Sequence, residues 1–271
     1  MTISAQDSLF DLKPAATALL VNVPHAGTML PGDLEKRLRP EARVLSDTDW
    51  HMDRIARAAL PEGAGLMVAK ASRYAVDLNR PSDDRPLYAG ATTGLISTID
   101  FDGNPLYAEG SEPDEAERAR RVEAYWMPYH HALASEIARI RDTHGYCVML
   151  DVHSIRSRVP RLFEGTLPDL NLGTNKGESA DPSLCSAVAD VLAASDMTSV
   201  RDGRFTGGYI TRHYGRPGEG VHVLQIETAQ SIYMQESPPW TLDPGGAERL
   251  QAVLARMLAV MAAFSPSGET E

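Results

Sequence analysis

The stretch Val148-Met149-Leu150-Asp151-Val152-His153-Ser154 is an apolar run that rises to an acid, a histidine and a hydroxyl. It reads as a buried strand of the kind found in parallel sheets, with a polar carboxyl end. In open α/β sheets that end borders the ligand crevice. Leu19-Leu20-Val21-Asn22-Val23-Pro24-His25-Ala26-Gly27 ends in the same way. Two such strands deliver His25 and His153 to one rim, where together they are candidates for a metal pair.

The remaining patterning alternates strands with helices. Asp114 to His144 carries apolar residues at helical spacing, among them Tyr129, Leu133, Ile137 and Ile140. Pro113 and several acids open this helix, Gly145 ends it, and Pro128 is expected to kink or split it. Val44 to Leu60 reads as a loop entering a helix capped by Ser46 or Asp47. Gly65 to Ala71, Tyr74 to Leu78 and an alternating Val221 to Thr228 read as strands. Pro182 to Ala194 and Gly245 to Phe264 read as helices. Pro81 to Pro113 is rich in Gly, Pro, Asp and Thr and predicts a long irregular excursion; Arg158 to Gly177 predicts a second loop-rich stretch. The pattern predicts an α/β fold with a mixed, mostly parallel sheet. No repeat or linker divides the 271 residues, so residues 1–271 are expected to form a single domain.

Composition narrows the function. A net charge of -11 disfavours a nucleic-acid binder and an anionic membrane surface. An anionic substrate would need cations concentrated in its site. The two cysteines, Cys147 and Cys185, make neither a disulfide framework nor a Cys-x-x-Cys site. No signal peptide is recognised, and no apolar run approaches the roughly 20 residues of a membrane span, so a cytoplasmic location is expected. No exposed apolar stripe specifies an oligomer.

A catalytic zinc site takes about three protein ligands and keeps one position open. His25 and His153 supply two nitrogens, and the third ligand is sought among Asp47, Asp49, His51 and Asp53, with Asp49 favoured over Asp47. Asp47 and Asp49 also suit the start of a helix as caps. Glu227, at the end of an apolar strand, suits a proton acceptor whose pKa burial raises, or an ordinary ion-pair partner. Arg73 and Arg80 bracket Tyr74 to Asn79, while Arg204 and Arg212 flank a glycine pair, and Arg156 and Arg158 follow His153. Such arginines in an acidic protein suggest a dianionic substrate. His130 and His131 read as structural, because adjacent helical residues face different ways.

The order Pro24-His25-Ala26-Gly27, Asp47-Thr48-Asp49-Trp50, Arg73 through Asp77-Leu78-Asn79-Arg80-Pro81, Asp151-Val152-His153-Ser154 and Glu227 resembles the N-formylglutamate amidohydrolase (deformylase) family. The resemblance extends through Pro86-Leu87-Tyr88-Ala89-Gly90-Ala91-Thr92-Thr93-Gly94-Leu95 and from Arg204 to Tyr214, and covers nearly the whole chain. It implies a three-layer fold akin to zinc carboxypeptidases and aspartoacylase. It also implies one divalent metal ion, zinc, held by His25, His153 and an acid. Glu227 is then the proton shuttle and Asn79 and Arg80 grip substrate, with Arg73, Arg204 and Arg212 as further substrate residues. The implied reaction is hydrolysis of N-formyl-L-glutamate to L-glutamate and formate in histidine degradation. The wider group places its acidic ligand three residues after the first histidine; here that residue is Thr28, and Asp49 takes the role. Two alternatives stand beside this reading: a hydrolase of the same fold acting on another N-acyl amino acid or peptide C-terminus, and a non-catalytic amino-acid-binding protein.

Overall fold

A computed structural model describes residues 9–87 and 90–266, so Tyr88 and Ala89 of the family-like motif lie outside the described residues. Its strands are β1 (Phe10–Lys13), β2 (Leu19–Val23), β3 (Gly65–Ala69), β4 (Cys147–Ile155), β5 (Leu170–Gly173), β6 (Ser199–Arg201) and β7 (Val221–Ala229). They form one seven-stranded sheet in the order β1-β3-β2-β4-β7-β5-β6. The central run β3-β2-β4-β7 is parallel. β1 joins antiparallel at one edge, and β5 joins antiparallel to β7 with β6 parallel beyond it. The sheet is mixed and mostly parallel, as expected.

The helices are α1 (Leu34–Arg37), α2 (Met52–Ala59), α3 (Glu115–Arg121), α4 (Met127–His144), α5 (Pro182–Ala193), α6 (Tyr209–Tyr214) and α7 (Pro244–Ala263). α2, α5 and α7 pack on the face that carries Val148, Leu150, Val152, Leu224 and Ile226. α4 and α6 pack on the other face, against Cys147, Met149, Val221 and Val223. Strand side chains alternate between faces, so β4 and β7 each feed both layers. Both strands are buried along their whole length. The alternation expected of β7 is therefore one of polarity only: Gln225 and Glu227 are buried too.

Several local expectations are corrected. Tyr74 to Leu78 is a turn, not a strand: Ala75 N donates to Ser72 O at 2.8 Å and Asp77 N to Leu95 O at 2.7 Å. The chain thus satisfies its buried backbone through a turn and through the excursion at Leu95, and Tyr74, Ala75 and Val76 are buried without joining the sheet. Neither Ser46 nor Asp47 caps α2, which starts after His51 with no side-chain cap. Asp47 Oδ2 instead accepts from Phe101 N at 2.9 Å, so this carboxylate pins the long excursion. The expected long helix is split as Pro128 requires, with a π-helical turn over Val122–Trp126 between α3 and α4. The proline ring would crowd the carbonyl of Ala124 four residues back, and the wider turn makes room. The loop-rich stretch from Arg158 to Gly177 contains β5.

Candidate active site

Pro24 has no N–H to offer the sheet, so β2 stops and His25 emerges at its carboxyl end. His153 stands one strand away, near the carboxyl end of β4, with its ring centroid 4.9 Å from that of His25. Asp49 comes from the loop before α2. Its N–H donates to His25 O and its Oδ2 accepts from Ser154 N, both at 3.0 Å, which fastens the loop to both strands. His25, Asp49 and His153 each offer a ligand atom, and these atoms lie within 4.8 Å of one another. All three residues are buried. Two nitrogens and one carboxylate form a donor set that divalent ions accept. The fit has a second sign: Asp49 Oδ1 is buried with no hydrogen-bond partner among the described residues, Arg73 NH1 standing 3.7 Å away, and a bound metal ion would satisfy it. Asp47 is outside this group.

Each histidine is oriented by its own carboxylate. His25 Nε2 lies 2.8 Å from Asp77 Oδ1, and His153 Nε2 lies 3.0 Å from Asp151 Oδ2. That leaves Nδ1 of each ring as the nitrogen for an ion, the arrangement that outer carboxylates impose on metal-bound imidazoles, with His153 Nδ1 3.3 Å from Asp49 Oδ2. Asp151 is held in turn by Asn22 Nδ2 at 2.8 Å, and Asn22 Oδ1 accepts from Tyr129 OH at 2.6 Å. Asp77 is held by Arg73 NH2 at 2.7 Å. Burial alone would raise Asp77, but His25 and the Arg73 guanidinium hold it well below the usual carboxylate range. Burial would lower His153, yet Asp151 and Asp49 outweigh it and raise the imidazole well above its ordinary value. An ion at Nδ1 must displace a proton there.

Glu227 sits on β7 directly beside His153 in register and is buried. Burial pushes its carboxyl up to about 8, against the lowering influence of His153. A cavity opens over these groups, with His25, Arg73, Asn79, Arg80, His153, Arg204 and Glu227 all in its wall. Arg80 is anchored by Thr93 O and Asn79 O, each at 3.0 Å, and Arg204 by Leu162 O at 2.8 Å. Phe101, Ile155, Leu162 and Phe205 supply an apolar side.

Of the arginines expected here, Arg73 faces the cavity but its guanidinium is held by Asp77 and the Asp47 carbonyl. Arg212 lies outside the cavity wall, its guanidinium donating to Gly207 O, Leu87 O and Thr206 Oγ1. Arg156 pairs with Asp102 at 2.9 Å. His130 is a buried structural residue between Tyr214 OH and Leu78 O, and His131 is exposed. Asp151 and Gln225 were missed from the sequence as parts of the site. Each lies two residues before a candidate on a strand, and so on the same face, which is the signal that finds them.

A model of the family described as N-formylglutamate amidohydrolase matches residues 17–234. N-formylglutamate deformylase of Pseudomonas aeruginosa is 48% identical over 259 residues, covering 95% of this chain and 97% of its own length. The Pseudomonas putida protein of the same name is 45% identical over the same shares. A crystal structure of N-formylglutamate amidohydrolase from Ralstonia eutropha superposes with a TM-score of 0.80 at 28% identity, covering 94% of this chain and 97% of that one. With the match spanning most of the sequence and the shared fold extending over nearly all of both chains, this chain belongs to the N-formylglutamate amidohydrolase family.

Proposed function

We propose that this protein hydrolyses N-formyl-L-glutamate to L-glutamate and formate, with a divalent ion, zinc, held by His25, Asp49 and His153. The observation that carries the reading is the buried Asp49 and two carboxylate-oriented histidines, with Glu227 in register beside His153. When bound there, the ion supplies Lewis-acid polarisation of the formyl carbonyl and makes a water more acidic. Glu227 takes the proton of the attacking water and delivers it to the departing amine. Burial raises the carboxyl's affinity for a proton, which favours its taking one from the water. Asn79 Oδ1 accepts from Ile210 N at 2.8 Å, which leaves the amide NH2 beside His153 Nε2, at 3.0 Å, as the end that donates to substrate. Arg80 and Arg204 take the two carboxylates, and Arg73 orients Asp77. One continuous sheet supports a single catalytic domain. We place the enzyme in the cytoplasm, in keeping with two free, buried thiols; among the described residues no helix is long and apolar enough to cross a membrane.

The test is formate release by the zinc-loaded protein and by Glu227→Gln. The variant should keep its metal and lose activity by about a hundredfold or more, the usual contribution of a positioned acid–base group. Near-wild-type turnover in that variant would remove Glu227 from the chemistry.

A further inference from the structure

Glu227 shares its face of β7 with Gln225, two residues earlier, and both line the cavity. Gln225 is 3% exposed, so its amide must find partners inside the protein. Its Oε1 accepts from Gly208 N at 2.7 Å and faces Thr211 Oγ1 at 3.4 Å. A backbone N–H can only donate, so this contact fixes which end of the amide is oxygen. The NH2 end is left facing Glu227, with Nε2 3.4 Å from Oε2. Asn79 is oriented in the same way by Ile210 N, two residues further along the same turn. One short segment, Gly208 to Ile210, therefore sets the polarity of two amides that border the reacting centre.

We propose that Gln225 is a positioning residue for Glu227: its amide donates to Oε2 and holds the carboxylate in the rotamer that aims Oε1 at the water. The proposal rests on the reading of Glu227 as the proton shuttle. The contact is long at 3.4 Å, and hydrogen bonds at catalytic groups commonly tighten when substrate binds. The carboxylate gains one fixed donor on one oxygen and keeps the other for proton transfer.

The test separates this donor from mere packing. Gln225→Glu keeps size and an acceptor for Gly208 N but replaces the NH2 with oxygen; Gln225→Met removes both polar ends. Both variants, zinc-loaded and assayed for formate release, should lose about ten- to a hundredfold in kcat, the range for a hydrogen bond to a charged group. KM should stay within about threefold, because the lost interaction acts in the transition state. Metal content should equal that of wild type. Wild-type kcat in either variant, or a loss that tracks metal content or appears in KM alone, would overturn the proposal. Glu227→Gln run in parallel distinguishes the two levels. If it is inert while Gln225→Met is unaffected, only the positioning role falls; if it is active, the shuttle reading falls with it.

Discussion

Gly207 and Gly208 adjoin in sequence but are glycines for different reasons. Gly207 has φ +118°, a conformation that side chains resist. Gly208 has φ -85°, which any residue adopts; what it lacks is room. A Cβ there would fall 2.2 Å from Asn79 Nδ2 and 2.6 Å from Cγ and Oδ1. Gly208→Ala must therefore push the Asn79 amide back by about 1 Å to regain ordinary contact. That movement strains the 2.8 Å bond from Ile210 N and withdraws the NH2 from beside His153, where it lies 3.0 Å from Nε2. Overpacking of this kind costs about 1–3 kcal/mol in stability. For a chain of this size that lowers Tm by roughly 2–4 °C per kcal/mol. Misplacing a substrate-positioning group by about 1 Å costs on the order of a hundredfold in rate. The expected result is thus a modest fall in Tm, retained metal, and kcat/KM for formate release down by about two orders of magnitude. Gly218→Ala, where a Cβ meets nothing within 4 Å, serves as the control. If Gly208→Ala kept more than half the wild-type kcat/KM, the close approach to Asn79 would have no bearing on catalysis.

Three further expectations are open to direct measurement. Burial lowers the His130 imidazole from 6.5 to about 4. Its neutral form is favoured in the fold, so the stability it contributes is present above pH 6.5 and is lost as pH falls toward 4; between pH 7 and 4.5 the loss is about 2–3 kcal/mol. Urea unfolding at both pH values should show His130→Gln losing less stability than wild type, and equal losses would contradict this origin. Replacing Arg204 should raise KM by about ten- to a hundredfold with little change in metal binding, whereas replacing Arg212 should not weaken substrate directly. An identical KM rise in both would reject the assignment of the second carboxylate to Arg204. Asp77→Asn should weaken zinc affinity by about ten- to a hundredfold in chelator competition, as loss of an orienting carboxylate does. Unchanged affinity would mean that His25 is held by other contacts.

What was legible in the sequence was the sheet's centre. β2, β4 and β7 announce themselves because both faces are buried, and His25 just beyond β2, with His153 and Glu227 near the carboxyl ends of β4 and β7, are polar where a central strand has no packing reason to be. The edges were less visible. β1, β5 and β6 have four, four and three residues, too few for a periodic signal against loop-like surroundings. The turn at Tyr74 to Leu78 imitates a strand because its apolar side chains are buried, although its backbone bonds to Ser72 and Leu95 and not to a strand of the sheet. Asp47 and Asp49 look alike in sequence, and only tertiary contact separates them: Asp47 meets Phe101 N, whereas Asp49 meets Ser154 N and lies beside both histidines. The same applies to Arg204 and Arg212, whose spacing places both near the glycine pair while one alone reaches the cavity wall. The three-dimensional partners Asp151 and Gln225 follow from strand alternation once the strands are accepted.

The central claim is that three buried ligands and one glutamate act on a formyl amide. Formate release from N-formyl-L-glutamate, measured before chelation, after chelation and after zinc is restored, with N-acetyl-L-glutamate alongside, tests it most directly. The account predicts turnover of the formyl compound that chelation abolishes and zinc recovers, with little action on the acetyl compound. Undiminished turnover by protein stripped of metal would contradict the metal centre, and a zinc-loaded protein inert toward the formyl compound would contradict the substrate.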